Sequence, residues 1–134
     1  MRRIAKLVDV NARRSYNLTN LIRAGIKQIT LGRAEANSDQ LIRLGELEDG
    51  KPCENLRVPC ISRRHATIVL ENGNYILEDY STLGTEVNGK KLSGKYILED
   101  KDQLRFADYG PVIFMYEDVS RLERVTAQSL PKSR

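Results

Sequence analysis

The sequence predicts an all-β domain, either a sandwich or a barrel. Several short segments are rich in branched and aromatic residues, and turn formers separate them. Asn72-Gly73 and Asn88-Gly89 mark tight hairpins, because asparagine and glycine tolerate the positive φ that such turns require. Short strands at regular spacing are typical of sandwiches and barrels. The main strands are predicted at 27–31, 66–70, 75–79, 95–98, 104–107 and 112–116.

A further hairpin is predicted at the N-terminus. Residues 3–10 and 15–18 have strand character, and the polar residues 11–14 form the turn between them. The stretch 119–134 is basic, and we expect it to form a partly flexible C-terminal tail.

Residues 35–53 break the strand rhythm. Leu41, Leu44 and Leu47 recur at three-residue spacing, which is compatible with a short helix. Asn37 or Ser38 can cap this helix, which would end before Asp49-Gly50. We therefore interpret the stretch as a helical or loop insertion packed on a sheet.

Composition indicates one soluble domain. The chain has 134 residues, 40% of them hydrophobic, and no apolar run long enough to cross a bilayer. The N-terminus is basic, but the apolar stretch that follows is broken by Lys6 and Asp9, so it lacks the continuous core of a signal peptide. We expect a cytoplasmic protein that does not bind membranes.

Neither a metal site nor a nucleic-acid site is favoured. Cys53, Cys60 and His65 lack a fourth zinc ligand and the paired CxxC spacing, so we expect reduced thiols and no cofactor. The net charge of +4 is unevenly spread, with eight Lys/Arg against one acidic residue in 1–33, but the basic residues are scattered and no stacking motif accompanies them. A solvated strand face is the preferred interpretation.

The residues that point to a function are Arg33, Ser62 and Arg63, which lie around predicted turns. A planar guanidinium binds two oxygens of a phosphate dianion through charge-assisted hydrogen bonds, and a serine hydroxyl can bind a third. No nucleophile-base pair is evident beside them. These residue types therefore indicate phosphate recognition without catalysis.

Two catalytic alternatives are weak. Residues 84–91 nearly match the P-loop pattern, but the Ser or Thr that would hold magnesium is missing and Asn88-Gly89 is better explained as a hairpin turn. A hydrolase built from Ser62, His65 and Asp79 lacks the nucleophile-elbow pattern. We expect no enzymatic activity.

Four motifs in this order resemble the forkhead-associated (FHA) domain: Leu31-Gly32-Arg33, residues 62–65, residues 81–85 and Asn88-Gly89. The resemblance covers about residues 4–117, so we expect the domain to span 1–118. It implies a sandwich of two antiparallel sheets with about eleven strands. Loops at one end of such domains bind phosphothreonine peptides, and the family has no catalytic activity.

The resemblance also implies roles for individual residues. Arg33 and Ser62 match the residues that bind the phosphate, and Arg63 occupies the position of an additional cation. Thr82 matches the threonine that shapes the pocket for the phosphothreonine methyl group. Leu83 stands where the family usually has an asparagine that bonds the peptide backbone, and Arg64 lies in the neighbouring peptide-contact loop. Structural roles fall to Gly32, His65, Asp79, Gly84, Asn88 and Gly89.

The expected function is recognition of a threonine-phosphorylated protein partner by a monomer, which would thereby read the output of a Ser/Thr kinase. The alternative is a phosphate-independent interaction or self-association module, in which Leu83 and the 35–53 insertion form an apolar contact surface. A third class of function is nucleic-acid binding, in which the affinity for DNA or RNA would fall steeply with salt concentration.

Overall fold

The computed structural model describes residues 3–35 and 39–119, which form two β-sheets around one hydrophobic core. Within these residues the strands are β1 (Arg3–Asp9), β2 (Arg14–Asn17), β3 (Gln28–Arg33), β4 (Ile42–Leu44), β5 (Ala66–Glu71), β6 (Asn74–Asp79), β7 (Thr85–Val87), β8 (Lys90–Lys91), β9 (Lys95–Ile97), β10 (Asp102–Phe106) and β11 (Tyr109–Asp118).

The six-stranded sheet has the order β2-β1-β11-β10-β7-β8, and the five-stranded sheet has the order β4-β3-β5-β6-β9. Among the strand pairs of the described residues, only β3 and β4 run parallel. The predicted all-β sandwich of about eleven strands is confirmed.

Alternation along the strands builds the core. In β10, Leu104 and Phe106 are buried, whereas Gln103 and Arg105 are exposed. Successive side chains of a strand point to opposite faces, so this pattern turns one face of the sheet inward. Fully burying a leucine or phenylalanine side chain contributes about 1.5–3 kcal/mol. The facing sheet contributes Ile29, Leu31, Ala66, Ile68 and Leu77.

Both Asn-Gly hairpins form as predicted. Asn72 and Gly73 have φ of 50° and 80°, and Asn88 and Gly89 have φ of 51° and 84°. Two consecutive positive φ values match the twist of the flanking strands. The pairs connect β5 to β6 and β7 to β8, both antiparallel. The N-terminal hairpin is also confirmed, since β1 pairs antiparallel with β2.

The helical interpretation of the 35–53 insertion is wrong. Residues Ile42–Leu44 form β4, which extends the second sheet beside β3. Ile42 and Leu44 are fully buried, whereas Leu41 is 40% exposed, so burial follows a period of two rather than three. The remainder from 45 to 53 is loop and turn, with a bridge between Glu46 and Pro52. The predicted capping residues 37 and 38 lie outside the described residues.

A short helix occurs where a strand was predicted to end. Helix α1 (Leu18–Arg23) follows β2 directly, so the predicted strand stops one residue earlier, at Asn17. The Asn17 side chain caps the helix by accepting from the Asn20 N–H, which explains the switch from strand to helix. In the described parts of the chain, no helix is long and apolar enough to span a membrane. The predicted tail lies outside the described residues from 120 onward.

A buried carboxylate joins the six-stranded sheet to the insertion. Asp9 is fully buried at the end of β1 and accepts three hydrogen bonds. Its partners are the Tyr109 hydroxyl at 2.6 Å, the Gly45 N–H at 2.8 Å and the Ala12 N–H at 3.3 Å. Burial, together with the hydrogen bond to Asp9, raises the pKa of Tyr109 above its usual range. Since Gly45 follows β4, Asp9 anchors the loop that begins there.

We expect Tyr109→Phe to lower the free energy of unfolding by about 1–3 kcal/mol, because the variant leaves one oxygen of a buried carboxylate under-satisfied. Tyr80→Phe is the matched control, because the Tyr80 hydroxyl contacts Glu78 at an exposed position. Urea denaturation monitored by circular dichroism measures both variants. Equal stability of the two variants would contradict the role given to Asp9.

Candidate phosphate-binding site

The site begins with a close approach between β3 and the loop 61–65. The Arg33 N–H donates to the Ser62 carbonyl at 3.1 Å, and the His65 N–H donates to the Leu31 carbonyl at 2.8 Å. Between these bonds lies Gly32, where a Cβ atom would stand 1.6 Å from the Arg63 carbonyl oxygen. Only glycine permits this contact, which brings Arg33 and Ser62 together.

The Arg33 guanidinium is held on two sides. Its Nη1 donates to the carbonyl oxygens of Pro59 and Ile61 at 3.1 and 3.2 Å. Its Nε and Nη2 donate to one carboxylate oxygen of Glu35 at 3.2 and 2.9 Å. The side chain is 26% exposed, so solvent reaches part of it.

Arg63 converges on the same carboxylate. Its Nε lies 3.5 Å from the second oxygen of Glu35, and its side chain is 80% exposed. The carboxylate of Glu35 therefore bridges the two predicted phosphate-binding arginines. Glu35 was not predicted as a site residue. The sequence did contain a signal for it, because Glu35 follows Arg33 by two residues, and residues i and i+2 of an extended segment lie on the same face.

Ser62 has a hydroxyl that can donate. Its Oγ accepts from the Thr82 N–H at 3.2 Å, which places the start of the 82–84 segment beside the serine. Within residues 3–35 and 39–119, the hydroxyl hydrogen of Ser62 has no acceptor. A serine hydroxyl both accepts and donates, so this hydrogen is available to an oxyanion.

His65 is fully buried and connects the loop 61–65 to the 82–84 segment. Its Nδ1 accepts from the Ser62 N–H at 3.0 Å, so Nε2 carries the proton and donates to the Gly84 carbonyl at 2.9 Å. Burial lowers the pKa of His65, against the Gly84 carbonyl and the Asp79 carboxylate, which raise it. The ring packs edge-on against Phe106 with centroids 5.4 Å apart.

Asp79 shapes the loop that carries Thr82. Its Oδ1 accepts from the hydroxyls of Ser81 and Thr85 at 2.6 and 2.8 Å, and the Ser81 hydroxyl accepts from the Gly84 N–H at 2.7 Å. Gly84 has φ of +96°, a conformation that favours glycine. These bonds fold residues 79–85 into one turn against the buried histidine.

The remaining predicted residues lie around this centre. Arg64 packs its guanidinium over the exposed Tyr80 ring, 5.6 Å from the ring centroid. Leu83 is 58% exposed and borders a cleft of about 250 Å³ that Lys91 and Arg105 also line. Asn88 bonds instead to β10, where its amide donates to Asp102 at 2.8 Å and its oxygen accepts from the Gln103 N–H.

No hydrolase geometry forms here. His65 meets Ser62 through the serine backbone N–H rather than through its hydroxyl, and its other ring nitrogen donates to a carbonyl. The histidine is therefore not placed to take a proton from the Ser62 hydroxyl. In the described residues, no group of three or more His, Cys, Asp or Glu side chains could hold a metal ion, and Cys53 and Cys60 are both free thiols.

We expect the free energy of unfolding to decrease as the pH falls below about 6.5, because the unfolded chain then binds a proton that buried His65 resists. The contribution of neutral, buried His65 to the free energy of unfolding is fully present above pH 6.5. It is completely lost once the pH has fallen below the pKa of His65 in the folded protein. His65 is the only histidine, so His65→Gln should flatten the stability curve between pH 7.5 and 5.5.

Denaturant titrations across that range measure the effect, and an unchanged slope in the variant would contradict it. If the variant does not fold, ¹H–¹⁵N spectra of the wild-type ring provide the test. Because burial lowers the pKa of His65, less than half of the rings should be protonated at pH 6.5, and the neutral form should carry its proton on Nε2. A ring that is half-protonated or more at that pH would contradict the expectation.

Comparisons with known proteins match this chain to one family model and to several solved structures. The FHA domain model matches residues 29–107. The structure of Mycobacterium tuberculosis EmbR in complex with a low affinity phosphopeptide is 26% identical, with a TM-score of 0.60. That match covers 84% of this chain but only 24% of the EmbR chain.

Two further structures share the fold. The FHA domain of an Arabidopsis thaliana hypothetical protein is 19% identical, with a TM-score of 0.63 and 86% of each chain covered. The MEK1 FHA domain in complex with the HOP1 pThr318 peptide is 20% identical, with a TM-score of 0.58, and the match covers 85% of this chain and 97% of that domain. No curated protein matches the chain.

Proposed function

Because this chain belongs to the FHA domain family, whose model matches residues 29–107, we propose that it binds a phosphothreonine-containing segment of a protein partner. The observation that carries the proposal is the convergence of Arg33 and Arg63 on the single carboxylate of Glu35. A carboxylate and a phosphate are both oxyanions that accept charge-assisted hydrogen bonds from guanidinium. The two arginines are therefore arranged to bind one oxyanion together.

The proposed phosphate contacts are divided among three residues. Arg33 supplies the fixed fork, because carbonyl oxygens hold its Nη1 in place. Ser62 donates its free hydroxyl hydrogen, and the more exposed Arg63 adds charge from the rim. Hydrogen bonds to charged groups contribute about 1.5–3 kcal/mol each, so the phosphate supplies most of the affinity.

Thr82 is proposed to contact the phosphothreonine methyl group. Its N–H bonds the Ser62 hydroxyl oxygen, so its backbone lies beside a proposed phosphate contact. Burying one methyl group contributes about 0.8 kcal/mol, which corresponds to roughly a fourfold preference for phosphothreonine over phosphoserine. Two of the similar structures hold phosphopeptides, one of them a pThr peptide, which supports this ligand class.

Leu83 and Arg64 are proposed to contact the peptide on either side of the phosphate. Leu83 cannot replace the amide that the family usually has at this position, so one polar group of the bound peptide backbone stays without a protein partner. An unsatisfied group of this kind costs about 1–3 kcal/mol. We therefore propose that the protein is a non-catalytic module of modest affinity that reads the output of a Ser/Thr kinase.

We expect Arg33→Ala to weaken binding of phosphothreonine peptides by about 10- to 150-fold, since it removes charge-assisted hydrogen bonds to the phosphate. Arg23→Ala, in the last turn of α1, is the control with the same change in net charge. Calorimetry with a degenerate phosphothreonine library measures both variants, and thermal unfolding checks that they fold. Equal affinity of the wild type for phosphorylated and plain peptides would contradict the proposal.

We expect Leu83→Asn to tighten phosphopeptide binding by about 5-fold or more, because the amide can bond the peptide backbone. Leu83→Ala separates this gain from the removal of the exposed apolar side chain, and it should not tighten binding. Fluorescence polarisation with one labelled phosphothreonine peptide measures both. Weaker binding by Leu83→Asn would instead show that Leu83 makes an apolar contact with the partner, as the phosphate-independent alternative requires.

A further inference from the structure

The Arg33 guanidinium has little free hydrogen-bonding capacity in this structure. A guanidinium has five N–H donors. In Arg33 the Nε and one Nη2 hydrogen point to Glu35, and the two Nη1 hydrogens point to the carbonyls of Pro59 and Ile61. One Nη2 hydrogen remains. A phosphate cannot form the paired, parallel hydrogen bonds of a guanidinium fork while Glu35 stays in place.

We propose that the carboxylate of Glu35 occupies the oxyanion position of the site and is a tethered competitor that a phosphate must displace. This inference rests on the proposed function. Glu35 bridges Arg33 and Arg63 with its two oxygens, which is the coordination proposed above for the phosphate itself. The carboxylate carries one negative charge, whereas a phosphothreonine carries about −1.5 to −2 at pH 7 and offers three acceptor oxygens.

Glu35 is not needed to orient Arg33. The two carbonyl oxygens of the loop hold Nη1, and the backbone of Arg33 is bonded to Ser62. Removing the carboxylate therefore leaves the arginine in its position and frees the Nε and Nη2 edge. A positioning role would predict the reverse, namely that loss of the carboxylate weakens the site.

The size of the effect follows from the strength of the two ion pairs. The Glu35 side chain is 34% exposed, and the Arg63 side chain is 80% exposed, so solvent weakens both contacts. We call the protein closed when Glu35 contacts the two arginines and open when it does not. Exposed ion pairs contribute little free energy, and two of them together correspond to a roughly 2- to 30-fold preference for the closed state. The apparent dissociation constant of any ligand is its intrinsic value divided by the fraction of open protein.

Competition of this kind acts on every anion alike. Because Glu35 must leave before any oxyanion enters, it weakens phosphopeptide and inorganic phosphate by the same factor. For weak ligands, such as the carboxylates of unphosphorylated partners, the apparent dissociation constant then exceeds the concentration at which they are present. Glu35 thus sets the threshold affinity of the site for anions.

Three variants test the inference. Glu35→Gln removes the competing charge, and Glu35→Asp keeps the charge on a shorter side chain that reaches the arginines less well. Glu71→Gln is the charge-matched control, because Glu71 is exposed at the far end of β5, about 17 Å along the strand from Ala66. The probes are inorganic phosphate and an alanine heptapeptide with a central phosphothreonine, titrated into ¹⁵N-labelled protein that reports the Arg33 Nε–H resonance.

We expect Glu35→Gln to tighten both probes by the same factor, within the range of about 3- to 30-fold, and Glu35→Asp to tighten both by a smaller factor. Glu71→Gln should match the wild type. Weaker or unchanged binding by Glu35→Gln, with the wild type still binding the phosphopeptide, overturns the inference and leaves the proposed function intact. Tightening by Glu35→Gln and Glu71→Gln alike would show a general charge effect and also overturn it.

A general field effect at the site is separated from displacement by the Glu35→Asp variant, which retains the local charge. If its affinity equals that of the wild type while Glu35→Gln binds more tightly, direct occupancy is wrong. If no variant binds either probe while all of them fold, the proposed function itself fails, and the inference fails with it.

Discussion

The close approach of β3 to the loop 61–65 at Gly32 is the constraint on which the site depends. A Cβ at this position would stand 1.6 Å from the Arg63 carbonyl, a separation at which backbone would have to move. The approach allows two backbone hydrogen bonds that flank the glycine. Because they fix Arg33 beside Ser62, two residues far apart in the chain become neighbours through backbone hydrogen bonds.

A second layer of buried and partly buried polar groups holds the neighbouring loops in place. His65 joins the Ser62 backbone to the Gly84 carbonyl, and Asp79 gathers the hydroxyls of Ser81 and Thr85. Buried polar groups are costly unless they are paired, so these residues select one loop conformation. Asp9 has the same role for the 45–53 loop.

Much of the fold was predictable because its signals are local. Asn72-Gly73 and Asn88-Gly89 have the positive φ that their composition predicts, and burial in β7 and β10 alternates with a period of two. The insertion was not predictable in this way. Its leucine spacing fits a helix, but pairing with β3 buries Ile42 and Leu44 and makes this segment a strand. Tertiary pairing overrode a weak local pattern.

By itself, the sequence determined the all-β architecture, its hairpins and the residue types of an anion site, because periodicity and turn chemistry are properties of neighbouring residues. Only the tertiary structure decided which of those residues meet. It placed Arg33 and Arg63 on one carboxylate, turned the Ser62 backbone rather than its hydroxyl toward His65, and buried Asp9. These contacts depend on the packing of distant segments, which a linear pattern does not specify.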